Sequence, residues 1–502
     1  MTRGGRGSFL DFVEKQNNEA TAAVASIEDA ADCDERADAL VRGVLGRVMR
    51  RRGTIAAGAG YIRALARDVR ANCWELAQKA GHEGPHRMQA LLSRHKWRWE
   101  ELRELLPGLA QEVLRDDPGD ETGPGLAFDE TADLRKGAST ACVAPQHAGV
   151  TGKVENCVTW VFAALVTALG QAWVDFDVYM PDCWAKDPGR RGKAGIPQGL
   201  AFATKPELAM AQARRLVRGG LRVLWAAADE VYGRSSDFRA TLRLLGLAYV
   251  VIIPCDYKIT VAKNTVIRAD EAISDAVFEQ RSAGNGAKGP RYARWAMLAT
   301  ADPREFLLIR RLPDRGKNQY TFYLCYAPEG RPATITYFIT IAGRRWPVET
   351  TFKTAKDALG WDQSQARTWD AICRHTALTA LAQIRTIAIR SGFAGAATLP
   401  EAAPDSRDTP REMEEPAADP ADLQFRTGDA PLPATAGQPC PHDIPPIRLS
   451  DAETGRITRI ARDWKGGRIS AARAAFELRW SAWRRRHQAR ARWHHYAARL
   501  AA

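Results

Sequence analysis

Long hydrophobic runs are missing from this chain. Its longest mostly apolar stretch, Cys157 to Leu169, is too short to cross a bilayer. The N-terminus lacks an apolar segment of the secretory kind, so no export signal and no membrane partner are expected. Cysteine is scarce: nine residues, an odd number, with no C-x-x-C pair. That argues against a disulfide framework and for free thiols in a reducing cytosol. Acid is in deficit as well. Lys plus Arg number 72 against 59 Asp plus Glu, a net charge of +13. A polyanionic partner is therefore plausible, either nucleic acid or an anionic membrane surface.

With 45% hydrophobic and 26% charged residues, the composition excludes wholesale disorder. At ~150 residues per domain, 502 residues suggest about three domains. Residues 1–115 read as a basic, helical N-terminal region. Thr54 to Ala71 has helical apolar spacing. Cys73 to Ala80 looks like a short helix stopped by Gly81, and Pro85 fits the first turn of a second helix reaching about Lys96. This pair resembles a helix-turn-helix, with an ordinary structural pair as the alternative. Arg87 and Arg94 are its candidate DNA contacts. Residues 115–125, rich in Asp, Gly and Pro, read as a linker.

From 126 the period changes to that of an α/β unit. Leu126 to Phe128 reads as a short buried strand ending on Asp129, and Val223 to Ala228 as another ending on Asp229. Cys157 to Leu165, Ala172 to Val178 and Tyr249 to Ile253 are further strands. Thr204 to Glu207 is a capping box that opens a helix, so Lys205 has a plain reading as a first-turn residue. The expected divisions are a core from 126–254, a β-rich insertion over 255–340 and a second core piece over 341–396. Within the insertion, Arg294 to Thr300, Glu305 to Leu312, Tyr320 to Ala327 and Thr334 to Thr340 read as strands. An acidic, Pro-rich linker (397–449) and a basic tail (450–502) follow. Between 456 and 499 thirteen Lys and Arg face two acids, and Arg484, Arg485 and Arg486 are candidate phosphate contacts.

Three acids occupy suggestive places: Asp129 and Asp229 at strand ends, and Glu349 where helix resumes. Carboxylates from such positions can converge on one cleft, and hard oxygen ligands suit Mg²⁺. Taken alone, three acids out of 59 are also compatible with solvated surface charge. Arg345, four before Glu349, and Lys356, seven after it, would share its helical face. Pro347 fits a first helical turn better than a helix interior.

The run from Ala342 through Arg345, Glu349 and Phe352 to Lys356 resembles the Y-(2)-R-(3)-E-(6)-K signature of bacterial insertion-sequence DDE transposases, with Ala342 at the Tyr position. Asp129-Glu130-Thr131 and Leu134-Arg135-Lys136-Gly137 resemble the family's D-D-T and following stretch. Gly152 to Cys157, Phe202 to Leu208 and Ala228 to Gly233 are similar to further family motifs. The nearest group is the insertion-sequence family "seven-oh-one", over roughly 125–390. The resemblance implies an α/β, RNase H-like catalytic core interrupted by the β-rich insertion. It implies two Mg²⁺ ions, for which Mn²⁺ can substitute, on Asp129, Asp229 and Glu349, with Arg345 and Lys356 holding phosphates. Glu130 and Glu230 are read as neighbours, although Glu130 remains the alternative first ligand. Double-stranded DNA (transposon ends and target), a homodimer in the synaptic complex, and a cytoplasmic, nucleoid-associated location follow. A domesticated or inactive DNA-binding descendant, or a metal nuclease that does not join strands, are the alternatives.

Outside this set, Cys440 to Asp443 and His494-His495 are weak candidates. His375 is expected to be a core histidine, and Trp295 an ordinary strand residue or, less simply, a base-stacking one.

Overall fold

A computed structural model describes residues 34–66, 71–115, 119–261, 265–286, 289–312, 319–345 and 347–390, with Arg459 and Arg462. The acidic linker, Arg484 to Arg486, Cys440 to Asp443 and His494-His495 lie outside the described residues.

The chain enters through helices: α1 over 34–48, α2 (Arg52–Leu65), α3 (Cys73–Lys79), α4 (His86–Ser93) and α5 (Trp99–Val113). Asn72 caps α3 by accepting from the N–H groups of Trp74 and Glu75. Gly81 follows with φ +81°, a left-handed value that glycine adopts freely, so α3 stops there. The second helix of the pair ends at Ser93, short of Lys96. In α5 the buried residues Trp99, Leu102, Leu106, Leu109 and Val113 recur at helical spacing and form one apolar stripe.

Next come β1 (Gly125–Leu134), β2 (Ala144–Ala148), β3 (Lys153–Thr167) and β4 (Gly170–Val178). Helices α6 (Asp182–Ala185), α7 (Pro188–Ala194) and α8 (Lys205–Arg218) lead to β5 (Trp225–Ala228). Then follow α9 (Glu230–Gly233), α10 (Ser236–Leu244), β6 (Ala248–Ile253) and the hairpin β7 (Lys258–Thr260) with β8 (Val266–Arg268). Strands β9 (Glu279–Gly286), β10 (Gly289–Ala299), β11 (Glu305–Arg311) and β12 (Tyr320–Tyr326) follow. Helices α11 (Ile335–Arg345), α12 (Pro347–Lys353) and α13 (Trp369–Arg390) complete the described body.

One ten-stranded sheet carries the fold, in the order β2-β3-β1-β5-β6-β12-β11-β10-β9 with β4 on β3. The β1–β5 and β5–β6 pairs are parallel; every other pair is antiparallel. All four β5 residues are buried, as expected of a parallel strand covered on both faces. This is the α/β architecture with a large mixed sheet that an RNase H-like core requires. Strands β9 to β12 extend that same sheet, because β12 pairs with β6.

Two local readings change. The strand carrying Asp129 does not stop there: β3 runs beside β1 from Gly125 to Leu134, and this antiparallel partner sustains it. Thr334 to Thr340, read as a strand from its β-branched residues, belongs mostly to helix α11. Tertiary packing overrides propensity here. Phe338 lies fully buried against Phe306, and Gly343 lets α11 approach β9 closely. A Cβ on Gly343 would stand 2.1 Å from the Ala283 carbonyl oxygen.

Helix α13 is buried along most of its length and joins the N-terminal helices to the sheet. Most of its buried polar side chains are paired, as burial demands, with Arg374 Nε an exception. His375 bonds the Tyr61 hydroxyl and the Trp361 carbonyl, both at 2.8 Å, and burial pushes its pKa down to about 4. Arg374 donates to the carbonyls of Leu92 and Trp97, and Arg385 pairs with Asp34 and Asp38. His375 is thus a core residue. Trp295 is likewise buried in the sheet, beside Tyr323.

Candidate active site

The register of β1 against β5 creates the site. Their parallel pairing ends at Phe128↔Ala228, and the next residue on each strand is an aspartate, Asp129 and Asp229. Adjacent strands lie ~4.8 Å apart, so this register alone makes the two acids neighbours. Strand β5 ends because Asp229 becomes the cap of α9, its Oδ1 accepting from the Val231 N–H at 3.0 Å. The turn also needs Gly233, where a Cβ would lie 1.8 Å from the Ile252 carbonyl oxygen.

Glu130 joins the pair. Carboxylate oxygens of Asp129, Glu130 and Asp229 all lie within 4.8 Å of one another. Two cations flank them. The Arg345 guanidinium, at the end of α11, is 3.7 Å from Asp129 Oδ2. Lys205 Nζ, in the first turn of α8, is 2.8 Å from Glu130 Oε1. The predicted capping box fixes that turn: Thr204 and Glu207 bond reciprocally.

Burial pushes the Asp129 carboxyl up to about 7, and the charges of Asp229 and Glu130 add to it while Arg345 opposes it. Burial and Glu130 likewise push Asp229 up to about 6. Tyr232 is fully buried beside the same acids, and burial followed by the Glu130 charge raises its phenol further above 10. Its hydroxyl and Glu130 Oε2 both lack a well-formed hydrogen bond. Three crowded carboxylates with an orphaned oxygen are a donor set that a hard divalent cation fits.

The other predicted residues surround this centre. Glu349 is exposed in the first turn of α12 and stands outside the three-acid cluster. Helix α12 packs against β1 and β4, with Phe352 5.6 Å from the ring of Phe162, the residue opposite Asp129 in β3. Lys356 donates to the Ala132 carbonyl of β1 at 3.1 Å. Arg345, Glu349 and Lys356 do not share one helix. α11 ends at Arg345, Pro347 opens α12, and Lys356 lies in a π-helical turn, Thr354–Ala358. Pro347 has no N–H to continue the helix before it. Glu230 pairs with Arg234 and faces solvent. Arg87 on α4 and Arg94 at its end are exposed.

Some supports were not legible in advance. Asp120, in the segment read as a linker, forms a two-pronged pair with Arg344 and so fixes the end of α11 next to Arg345. Asn156, inside a recognised motif, donates to the carbonyls of Arg135 and Gly137 and holds the turn that follows β1. Among the described residues no helix is long and apolar enough to cross a membrane.

Comparisons with known proteins place the chain in a family. A probable transposase for insertion sequence element IS701 from Microchaete diplosiphon is 27% identical over 294 residues, which is 57% of this chain and 70% of that protein. A sequence model of the DDE superfamily endonucleases matches residues 43–301, a stretch that contains both Asp129 and Asp229. Covering more than half of the chain, that match establishes that it belongs to the DDE superfamily endonucleases.

Proposed function

We propose that this protein is the DNA transposase of an insertion sequence. It cuts phosphodiester bonds at the element's ends and joins the freed 3′-hydroxyl to target DNA. The adjacency of Asp129 and Asp229 on neighbouring parallel strands, with Arg345 against them, carries this reading. Asp129, Asp229 and Glu349 are the proposed metal ligands, Glu349 because α12 packs against the strand that bears Asp129. Two bound divalent ions, Mg²⁺ or Mn²⁺ in its place, would activate an attacking oxygen and stabilise a leaving one. Arg345 and Lys356 supply fixed positive charge for the scissile phosphate. Both ends of an element must be processed together, so a homodimer is the proposed synaptic form. The proposed division of labour keeps 1–115 for reading DNA ends and 126–254 with 341–396 for chemistry. A plasmid carrying the DNA that flanks this reading frame tests the proposal. Cleavage with joining supports it, cleavage without joining indicates a nuclease, and binding alone indicates an inactive descendant.

Three acids cannot read bases, so end recognition has to come from side chains aimed into a groove. Arg87→Ala or Arg94→Ala is expected to weaken binding to the element's end more than to random duplex, by about 1–3 kcal/mol per lost base contact. Competition binding at fixed salt checks this. Equal weakening on both DNAs would reduce these arginines to phosphate contacts.

The basic tail is proposed to bind DNA backbone through Arg484, Arg485 and Arg486, among others. Deleting 456–502 is expected to make duplex binding less salt-dependent, the slope changing by about 0.9 per lost phosphate contact. An unchanged slope would assign the tail to folding or assembly.

A further inference from the structure

The motif beginning at Phe202 contributes more than a helix start. Lys205 sits where the capping box would place any first-turn residue, yet its ammonium reaches across to β1 and pairs with Glu130. Side chains next to each other on a strand point to opposite faces. Beyond Phe128, however, β5 no longer flanks β1, and Glu130 reaches the cluster across that open side. One oxygen of Glu130 is held by Lys205; the other, buried, has no well-formed hydrogen bond. The fully buried Tyr232 hydroxyl stands beside it, also without a well-formed hydrogen bond. The acid site thus contains a cation on a flexible stem, a carboxylate half satisfied by it, and an orphaned phenol. Arg345, by contrast, is fixed by the Arg344–Asp120 pair next to it in sequence.

We infer that Lys205 is the built-in counter-ion of the acid site: it holds Glu130 in the metal-free protein and yields that carboxylate when a divalent cation enters. This rests on the proposed metal site. A single positive charge 2.8 Å from Glu130 stabilises three crowded carboxylates, and a divalent cation beside the same oxygens does so more strongly. The two positive charges repel, so Glu130 exchanges its lysine partner for the cation. The Tyr232 hydroxyl, buried beside Glu130 Oε2, is then the donor placed to satisfy that oxygen. The released ammonium stays at the mouth of the site, where DNA phosphate is the negative charge left for it to meet. No covalent bond changes in this exchange.

The inference predicts two effects of opposite sign. Removing the competing charge in Lys205→Met tightens Mn²⁺ binding to the full-length protein, by about fivefold or more in calorimetry. The same substitution slows single-turnover cleavage of a plasmid carrying the element's flanking DNA, about tenfold at saturating Mn²⁺. Lys205→Arg keeps the charge and stays near wild type in Mn²⁺ affinity. Lys205→Gln is read in the same way as Lys205→Met, should the latter fold poorly. Misfolding cannot tighten metal binding, so the expected sign is not produced by damage. Unchanged or weaker Mn²⁺ binding in both neutral variants, with wild-type circular dichroism, overturns the inference. If wild type binds no Mn²⁺, or if Asp229→Asn binds it as well as wild type does, the metal site itself falls.

Discussion

Asp129→Ala and Asp229→Ala are each expected to reduce DNA cleavage by at least about 10³-fold, the scale of losing preorganised stabilisation of a charged transition state. Binding to the element's ends should be nearly unchanged, because the acids repel phosphate instead of attracting it. The two carboxylates occupy equivalent positions on adjacent strands, so neither can substitute for the other. Glu349→Ala is expected to cause a comparable loss. Here Glu130 supplies the contrast, because it stands in the cluster whereas Glu349 stands outside it. Cleavage assays on both the Glu349→Ala and Glu130→Gln proteins decide which carboxylate completes the site. Full activity in Glu349→Ala would remove it from the ligand set. Full activity in Asp129→Ala or Asp229→Ala would shift that ligand role to the adjacent Glu130 or Glu230, the next residues to replace.

The second large effect is on stability. Asp129 has its carboxyl pushed up to about 7 from an ordinary 3.8, with burial as the first cause. Below pH 4 it is protonated whether the chain is folded or not, and it costs nothing. Between about 4 and 7 the unfolded chain has released the proton while the folded one retains it, so stability falls as pH rises. Above 7 the folded protein holds a buried charge at full cost. Asp229, raised to about 6, adds to the same trend over a narrower window. Asp129→Asn is therefore expected to stabilise the metal-free protein at pH 8 by roughly 1–3 kcal/mol and to change little at pH 4. Each kcal/mol corresponds to roughly 1–2 °C in Tm for a body larger than the 150–250-residue range, because the unfolding entropy grows with size. Mg²⁺ or Mn²⁺ should raise the Tm of wild type at pH 8 and not that of Asp129→Asn. Thermal melts at both pH values, with and without metal, measure all of this. A lower Tm for Asp129→Asn at pH 8 would mean that Arg345 fully compensates an ionised Asp129.

Both expectations arise from the same arrangement. Residues that crowd charge for chemistry weaken the fold that holds them, and a metal ion would reverse that cost. The buried aromatic layer behind β1 makes the crowding sustainable. Phe162 stacks on Trp173 at 4.0 Å, and Trp160, Phe176, Phe352 and Trp361 pack around them. These side chains hold the antiparallel ladder of β1 and β3 rigid under Asp129, and they seat α12.

Much of this was legible along the chain because its signals are local. Apolar runs marked β3, β4, β5 and β6, and the Thr204–Glu207 capping box marked the start of α8. Aspartates placed directly after buried runs, together with ordered motifs, pointed to Asp129 and Asp229 as a pair. What stayed hidden depended on partners distant in sequence. Glu130 read as a neighbour of the site, or its alternative first ligand, because its ion-pair partner Lys205 lies 75 residues later. The segment holding Asp120 looked like a linker because Arg344 is 224 residues away. The strand-like composition of Thr334 to Thr340 gave way to a helix because Phe338 and Gly343 pack against the sheet. Sequence alone determined the α/β class and the family motifs and marked Asp129 and Asp229 as a candidate pair, since hydrophobic period and short motifs are properties of neighbouring residues. Tertiary structure alone decided which carboxylates meet, which cations face them and where Glu349 stands, because strand register and helix docking bring together residues that no local pattern connects.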